Sequence, residues 1–110
     1  MKEIKAFVKP FKVEDIFHHL LGAGFPNLTV SGAEGTGNLE SSDPSVSTHF
    51  SITDSPVAKI EIVCTDKDVD KIVSLISEHG RTGNPGDGII YVSEVKEAYR
   101  IKNGENIHLK

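Results

Sequence analysis

The residues best suited to chemistry in this chain belong to one glycine-rich stretch, residues 81–88, which reads RTGNPGDG. Neither a helix nor a mid-sheet strand suits it, because glycine permits positive φ and proline cannot donate a backbone hydrogen bond. The apolar residues 89–92 that follow are typical of a buried strand. Backbone N–H groups of a tight loop before such a strand can converge on an anion. A connection that only reverses the chain has the same composition, so both interpretations stay open for the loop alone.

Two other parts of the chain are compatible with an anionic ligand. Residues 35–37 repeat the glycine-rich character as Gly-Thr-Gly, and Arg100 and Lys102 place two cations near the C-terminal end. Glu61, on a predicted strand, can accept a hydrogen bond from an exocyclic amine. Together with residues 81–88, these groups predict a site for a small anionic molecule.

Signatures of catalysis and of metal binding are not evident in the sequence. It contains no strand–turn–helix nucleophile elbow, no His-Glu-x-x-His motif and no Cys/His cluster with metal spacing. We interpret Asp66, Asp68 and Asp70 as the acidic start of a helix, in preference to metal ligands. His18 and His19 are interpreted as surface residues, with metal binding as the alternative. We therefore predict that the chain is not an enzyme and has no catalytic residue, metal ligand or covalent cofactor.

The remaining histidines support no site, because they are far apart in the sequence: His49, His79 and His108.

Composition limits the class of protein. The 110 residues suffice for a single domain, 1–110, with a sizeable core. A net charge of −4 and a pI near 5.7 argue against nucleic acid as a partner. The sequence predicts neither a membrane span nor a secretory signal, so any membrane association is expected only through a partner. The single Cys64 fits a reducing compartment, and we expect a cytoplasmic protein.

Hydrophobic periodicity predicts the order β-α-β-β-α-β. Alternation around residues 4–8 and 56–64 indicates strands, and stripes from Val13 and from Val69 indicate helices. The first helical stripe is assigned these residues: Val13, Ile16, Phe17, Leu20 and Leu21. Further strands are expected from Leu28 and over 89–92, followed by a short helical turn over 94–99. The C-terminal tail, 99–110, is expected to be extended at Arg100 and Lys102, with a turn of the chain at Asn103-Gly104. This order predicts an α+β fold of the ferredoxin-like type, an antiparallel four-stranded sheet with two helices on one face.

Two helices cover only one face of such a sheet. The other face is predicted to carry Phe7, Val63 and Val30, which are too apolar for water. We therefore expect this face to be covered by oligomerisation.

A long polar tract, residues 38–55, interrupts the pattern between the second and third strands. Loops of this length within a small domain are uncommon and are mostly functional or disordered. We expect a mobile loop that engages a partner, with a simple hairpin tip as the alternative.

These motifs, taken together, resemble the PII signal-transduction family of nitrogen and carbon sensors. The similarity runs almost from end to end of the chain, and its most specific part is Thr-Gly-x-x-Gly-Asp-Gly. The residues that carry it are 1–4, 9–12, 28–30, 35–37, 59–63, 81–88, Val92, 100–102 and 104–105. The resemblance implies a homotrimer of ferredoxin-like subunits that binds an adenine nucleotide in each cleft between subunits and contacts a target protein through residues 38–55, the T-loop.

The resemblance also implies roles for individual residues. Thr29, Glu61 and Val63 would hold the adenine, backbone groups of the glycines would line the site, and Arg100 and Lys102 would reach the phosphates across the subunit boundary. The complete predicted nucleotide site is Thr29, Gly35, Thr36, Gly37, Glu61, Val63, Arg81, Gly86, Asp87, Gly88, Arg100 and Lys102.

Four departures from the family pattern mark a divergent, PII-like chain. Leu39 stands where the family has a glutamine that ligates Mg²⁺, and Val57 stands where a lysine pairs with 2-oxoglutarate. Asn84 and Ile89 replace the usual lysines of the glycine-rich loop. We expect no 2-oxoglutarate binding and a preference for AMP or ADP, with ATP also a ligand, as in relatives linked to inorganic-carbon uptake.

Two other functions remain as alternatives. One is a divalent-metal-tolerance trimer similar to the CutA class, which would use histidine or acidic groups. The other is a small phosphatase on the same scaffold, for which Arg81 is the obvious catalytic candidate.

Overall fold

A computed structural model describes residues 1–35 and 56–108 of the chain. The described elements follow the predicted order and confirm the ferredoxin-like α+β fold. They are β1 (Lys2–Val8), α1 (Val13–Gly22), β2 (Thr29–Glu34), β3 (Pro56–Cys64), α2 (Val69–Gly80) and β4 (Ile89–Glu94). A short 3-10 turn precedes each helix, at Pro10–Lys12 and at Asp66–Asp68.

The four strands form one sheet in the order β2-β3-β1-β4, and each adjacent pair is antiparallel. Ile4 in β1 lies opposite Ile62 in β3 and Val92 in β4. Opposed residues share a face of the sheet, so alternation along each strand separates a helix-covered face from an open face. Both central strands, β1 and β3, place their apolar alternate residues under the helices.

The core lies between the sheet and the two helices. Ile16 and Leu20 of α1 and Ile72 and Ile76 of α2 are essentially inaccessible to solvent. Cys64, at the end of β3, belongs to the same core, and its burial raises the pKa of its thiol. Burial of these apolar side chains is the main favourable contribution to folding.

The apolar stripe of α1 is narrower than predicted. Phe17 and Leu21 are about half exposed, whereas Ile16 and Leu20 are fully buried. Each exposed residue follows a buried one in sequence and is rotated about 100° around the helix from it. The covered face of α1 is therefore one row of residues four apart.

The predicted position of Val30 on the open face is wrong. Val30 lies opposite the buried Ile60, which places it on the helix-covered face, and it is still 43% exposed because β2 is an edge strand. The prediction failed because it placed a short edge strand in the wrong register.

The open face is also more polar than predicted. It carries Phe7 and Val63, but two ion pairs lie among them: Lys59 Nζ is 3.3 Å from Glu61 Oε1, and Lys5 Nζ is 3.7 Å from Glu3 Oε1. Oligomerisation through this face would therefore bury charged groups in pairs as well as apolar surface.

The predicted helical turn over residues 94–99 is also absent from the described chain. β4 continues to Glu94, and the Val95 N–H donates to the Met1 carbonyl at 3.0 Å, which extends the sheet hydrogen bonding. A single helical turn has a costly nucleus and does not compete with such pairing.

The predicted turn at Asn103-Gly104 is confirmed, but it closes a hairpin, so the tail is not extended as predicted. Residues 99–106 form a C-terminal hairpin, closed by a bridge between Tyr99 and Asn106. The Arg100 N–H donates to the Glu105 carbonyl at 2.9 Å, and Gly104 turns the chain with a φ of 70°.

Neither described helix has the length and apolar character needed to cross a membrane.

Candidate functional site

A cavity of about 450 Å³ lies where the open face of the sheet meets the C-terminal hairpin. Four of the predicted site residues line it: Thr29, Glu61, Val63 and Arg100. Thr29 and Glu61 are brought together because they are opposed in the β2–β3 register, and Val63 follows on the same face. Ala98 and Ile107 of the C-terminal segment complete the wall near Arg100. We refer to this site as the hairpin cavity.

The hairpin cavity combines an apolar wall with hydrogen-bonding and charged groups. Val63 is 44% exposed and offers its side chain to a ligand. Among residues 1–35 and 56–108, the Glu61 carboxylate has only the Lys59 ammonium as an ion-pair partner. Within the described part of the chain, Arg100 forms no ion pair, so its guanidinium is available to an anion. The cavity thus suits a ring that carries hydrogen-bond donors and an attached anionic group.

The glycine loop, residues 81–88, already holds an anion of its own. The Asp87 carboxylate accepts hydrogen bonds from the backbone N–H groups of Thr82 at 2.8 Å and Gly83 at 3.0 Å, and from the Thr82 hydroxyl. Lys9 Nζ forms an ion pair with it at 3.3 Å. The hydrogen bonds, that of the Thr82 hydroxyl foremost, hold the pKa of Asp87 well below its usual value. The backbone N–H groups of Thr82 and Gly83 are therefore already occupied by Asp87 and are not free to bind an anionic ligand.

Gly88 is required by the backbone path. Its φ is 108°, and a Cβ atom there would lie 1.7 Å from the Phe7 carbonyl oxygen. Gly83 also has positive φ, at 83°, but a Cβ atom there would meet nothing within 4 Å. Close approach to β1 thus explains Gly88, and turn conformation explains Gly83.

The Arg81 guanidinium is hydrogen-bonded to the last turn of the helix that precedes it. Its Nε donates to the Ser77 carbonyl at 3.0 Å, and its Nη2 donates to the Ser77 hydroxyl at 3.2 Å. This position caps the carbonyl end of α2, where a cation is favoured. Beside it, Arg81, Asp87 and Gly88 line a second cavity of about 370 Å³.

The structure brings the predicted site residues together in two groups and not in one. Gly35 and Gly88 lie at the end of the sheet where β1 terminates, since they adjoin the end of β2 and the start of β4. The hairpin cavity lies at the other end of the sheet. The distance from these glycines is about the length of a six-residue strand, roughly 20 Å. Lys102 is exposed in the hairpin turn and does not line the cavity. Thr36, Gly37 and the 38–55 loop lie outside the described residues.

One cluster of potential ligands was not predicted. Asp15, His19 and His79 offer ligand atoms that all lie within 4.8 Å of one another. Asp15 and His19 are four residues apart on α1, and this spacing could have indicated that their side chains are neighbours. The sequence gives no such signal for His79, which reaches them through the packing of α2 on α1.

Comparison with known proteins gives a consistent assignment. The family model described as nitrogen regulatory protein P-II matches residues 1–105. The nitrogen regulatory protein P-II 2 of Methanothermobacter thermautotrophicus is 39% identical over 107 residues, covering 96% of this chain and 93% of that protein. The nitrogen regulatory protein P-II of Pasteurella multocida is 36% identical over 106 residues, covering 96% and 95% respectively.

The nitrogen regulatory protein GlnK of Escherichia coli is 32% identical over 106 residues, again with 96% of this chain and 95% of that protein covered. Together with the fold, these full-length similarities show that the chain belongs to the PII family of nitrogen regulatory proteins, which are signal-transduction regulators and not enzymes.

Proposed function

We propose that this chain is a PII-type regulator that binds an adenine nucleotide in clefts between the subunits of a homotrimer. AMP or ADP binds at least as tightly as ATP. The nucleotide state is read by a target protein through residues 38–55, in the control of nitrogen or inorganic-carbon metabolism.

The main support for this proposal is that the predicted site residues of one chain lie in two separate places. The hairpin cavity has the groups for a base and one cation, Arg100, but the glycine loop lies at the opposite end of the same sheet. A second subunit that places its glycine loop against the hairpin cavity would complete the site. Nucleotide binding then depends on oligomerisation, and the half-polar open face is the surface available for it.

The preference for fewer phosphates follows from the charges. Three cations are candidates for the phosphate region, and one of them, Arg81, already donates to Ser77. Arg100 and Lys102 remain, while Asn84 and Ile89 contribute no charge. Two cations match one or two phosphate groups better than three, because each missing charged hydrogen bond costs roughly 1.5–3 kcal/mol.

The phosphatase alternative receives no support from this geometry. Arg81 is held against the end of its own helix, and the chain belongs to a family of regulators.

Isothermal titration calorimetry tests the proposal directly. Untagged protein is titrated with AMP, ADP, ATP and cyclic AMP, each with and without 2-oxoglutarate or bicarbonate. We expect saturable heats with AMP and ADP, at one site per chain, and none with 2-oxoglutarate. ATP that binds more than tenfold tighter than ADP would contradict the proposed phosphate region, and no binding of any nucleotide would refute the function.

Light scattering tests the assembly that the proposal requires. A mass of three chains at micromolar concentration is expected, and a stable monomer would overturn the intersubunit site. Deletion of residues 38–55 should preserve the trimer and nucleotide binding while removing response to the target. A deletion variant that fails to fold would contradict the separate role given to that loop.

A further inference from the structure

The C-terminal turn of α2 packs against α1 in a histidine cluster formed by Asp15 and His19 of α1 and His79 of α2. The imidazole rings of His19 and His79 stack with centroids 3.4 Å apart and planes inclined by 13°. One oxygen of the Asp15 carboxylate lies 3.5 Å from His19 Nδ1, and the other lies 3.2 Å from His79 Nδ1. The carboxylate thus faces both rings at once.

We propose that this histidine cluster binds a divalent transition-metal ion, with Zn²⁺ as the best match. With metal–ligand distances of about 2.0–2.1 Å, two donors on one tetrahedral ion are roughly 3.3 Å apart. The two nitrogen–oxygen distances in the cluster are close to that separation. Two imidazoles and one carboxylate form a three-ligand set, and water supplies the fourth position.

The surroundings of the cluster favour a cation. His79 is in the last turn of α2, where the carbonyl end of the helix carries partial negative charge, and the Asp15 carboxylate adds a full negative charge beside both rings. Imidazole nitrogen selects zinc, copper or nickel over magnesium and calcium, which prefer an all-oxygen set. The site lies on the helix-covered side of the sheet, away from the open face, and is independent of the proposed nucleotide site.

Two rearrangements accompany binding. His19 Nδ1 now donates to the Asp15 backbone carbonyl at 2.8 Å, so binding at this nitrogen displaces its proton and breaks that bond. The stacked rings must also open so that both lone pairs point to one ion. The side chains have room for this, since His19 is 37% exposed and His79 is 18% exposed. We therefore expect a site that is adjusted on binding.

Titration of untagged, chelator-treated protein with ZnCl₂ tests the proposal. One ion per chain should bind, and His79→Ala and His19→Ala should each weaken Zn²⁺ binding by at least about tenfold, since even indirect partners of metal ligands contribute that much. His108→Ala is the matched control and should leave the affinity within twofold. MgCl₂ should give no binding at the cluster.

Cobalt(II) substitution provides a second readout that folding defects do not imitate. The wild-type protein should show the visible absorption of a tetrahedral Co²⁺ site, and His79→Ala should lose it while its circular dichroism spectrum stays unchanged. The proposal is overturned if Zn²⁺ does not bind saturably to the wild-type protein. It is also overturned if His19→Ala and His79→Ala, tested as single variants, both bind Zn²⁺ with wild-type affinity.

Discussion

The glycine loop and the hairpin cavity both belong to the proposed nucleotide site, but they differ in whether their polar groups already have partners within the chain. In the loop, the Asp87 carboxylate, two backbone N–H groups, the Thr82 hydroxyl and Lys9 satisfy one another. In the cavity, Arg100 has no ion-pair partner among the described residues, and Val63 is exposed. The loop is thus built for rigidity, and the cavity retains groups for a ligand.

This difference shows that the residues most conspicuous in the sequence need not be those that provide the binding energy. The glycine loop fixes a backbone shape, and its two charged side chains already have partners: Asp87 pairs with Lys9, and Arg81 donates to Ser77. Substitutions in the loop should mainly change the free energy of unfolding, whereas substitutions in the hairpin cavity should mainly change affinity.

Gly88→Ala is the strongest test of the structural role of the loop. We expect it to lower the free energy of unfolding by more than about 3 kcal/mol, because the new Cβ atom would overlap the Phe7 carbonyl. Gly83→Ala is the control, since only its positive φ is unfavourable, at about 1–2 kcal/mol. Equal effects of the two variants in urea denaturation would contradict the close approach.

Asp87→Asn should destabilise the protein by about 2 kcal/mol near neutral pH, because a charged acceptor of several hydrogen bonds is lost. The pKa of Asp87 is lowered by folding, so its contribution is fully present above the unfolded pKa of about 3.9 and decreases as the pH falls through the folded value. The difference between wild type and variant in urea denaturation should therefore shrink below about pH 4. A difference that stays constant down to pH 2 would rule out this role.

Arg100→Ala tests the cavity by its affinity for ADP. We expect about tenfold weaker binding in calorimetry, since a charged donor is removed from a partly desolvated site, with no change in the free energy of unfolding. Lys71→Ala removes an equal charge from the exposed surface of α2 and should leave ADP affinity within twofold. If both variants weaken ADP binding equally, the affinity depends only on the net charge of the protein, and Arg100 has no specific role in the cavity.

Val57→Lys lies outside both regions and should have the smallest effect on binding. Val57 is 7% exposed and lines a separate cavity of about 520 Å³ beside Pro10 and Ala33. The affinity for AMP should stay within twofold, measured by calorimetry on protein whose folding is checked by circular dichroism. A large change in AMP affinity would extend the nucleotide site to this end of β3.

Periodicity was sufficient to predict the order of the elements, because each strand and helix has its own apolar spacing. β3 was placed correctly at residues 56–64 from a period of two. Ile60, Ile62 and Cys64 form one face of the strand, and Lys59, Glu61 and Val63 form the other. Faces were harder to predict where an element is short or at an edge. The face of Val30 depends on the register with β3, which is a property of the sheet and not of β2 alone.

The candidate site was predictable to the extent that its residues share a strand pair or a motif. Thr29 and Glu61 are opposed in the β2–β3 register. The use of the loop amides by Asp87 and the pairing of Arg81 with Ser77 were not foreseen. The turn at Asn103-Gly104 was predicted, but the bridge that closes a hairpin around Arg100 was not. These features arise from local hydrogen-bond competition, which leaves no spacing signal in the sequence.

The burial of Cys64 has a practical consequence for spectroscopy. It is the single cysteine of the chain, it is 6% exposed, and its thiol has a raised pKa, so little reactive thiolate is available to maleimide reagents. A cysteine introduced at an exposed position can therefore be labelled selectively without first removing the native one. Ser45→Cys would place a fluorophore in the 38–55 loop, and its anisotropy with and without nucleotide would test the proposed response of that segment.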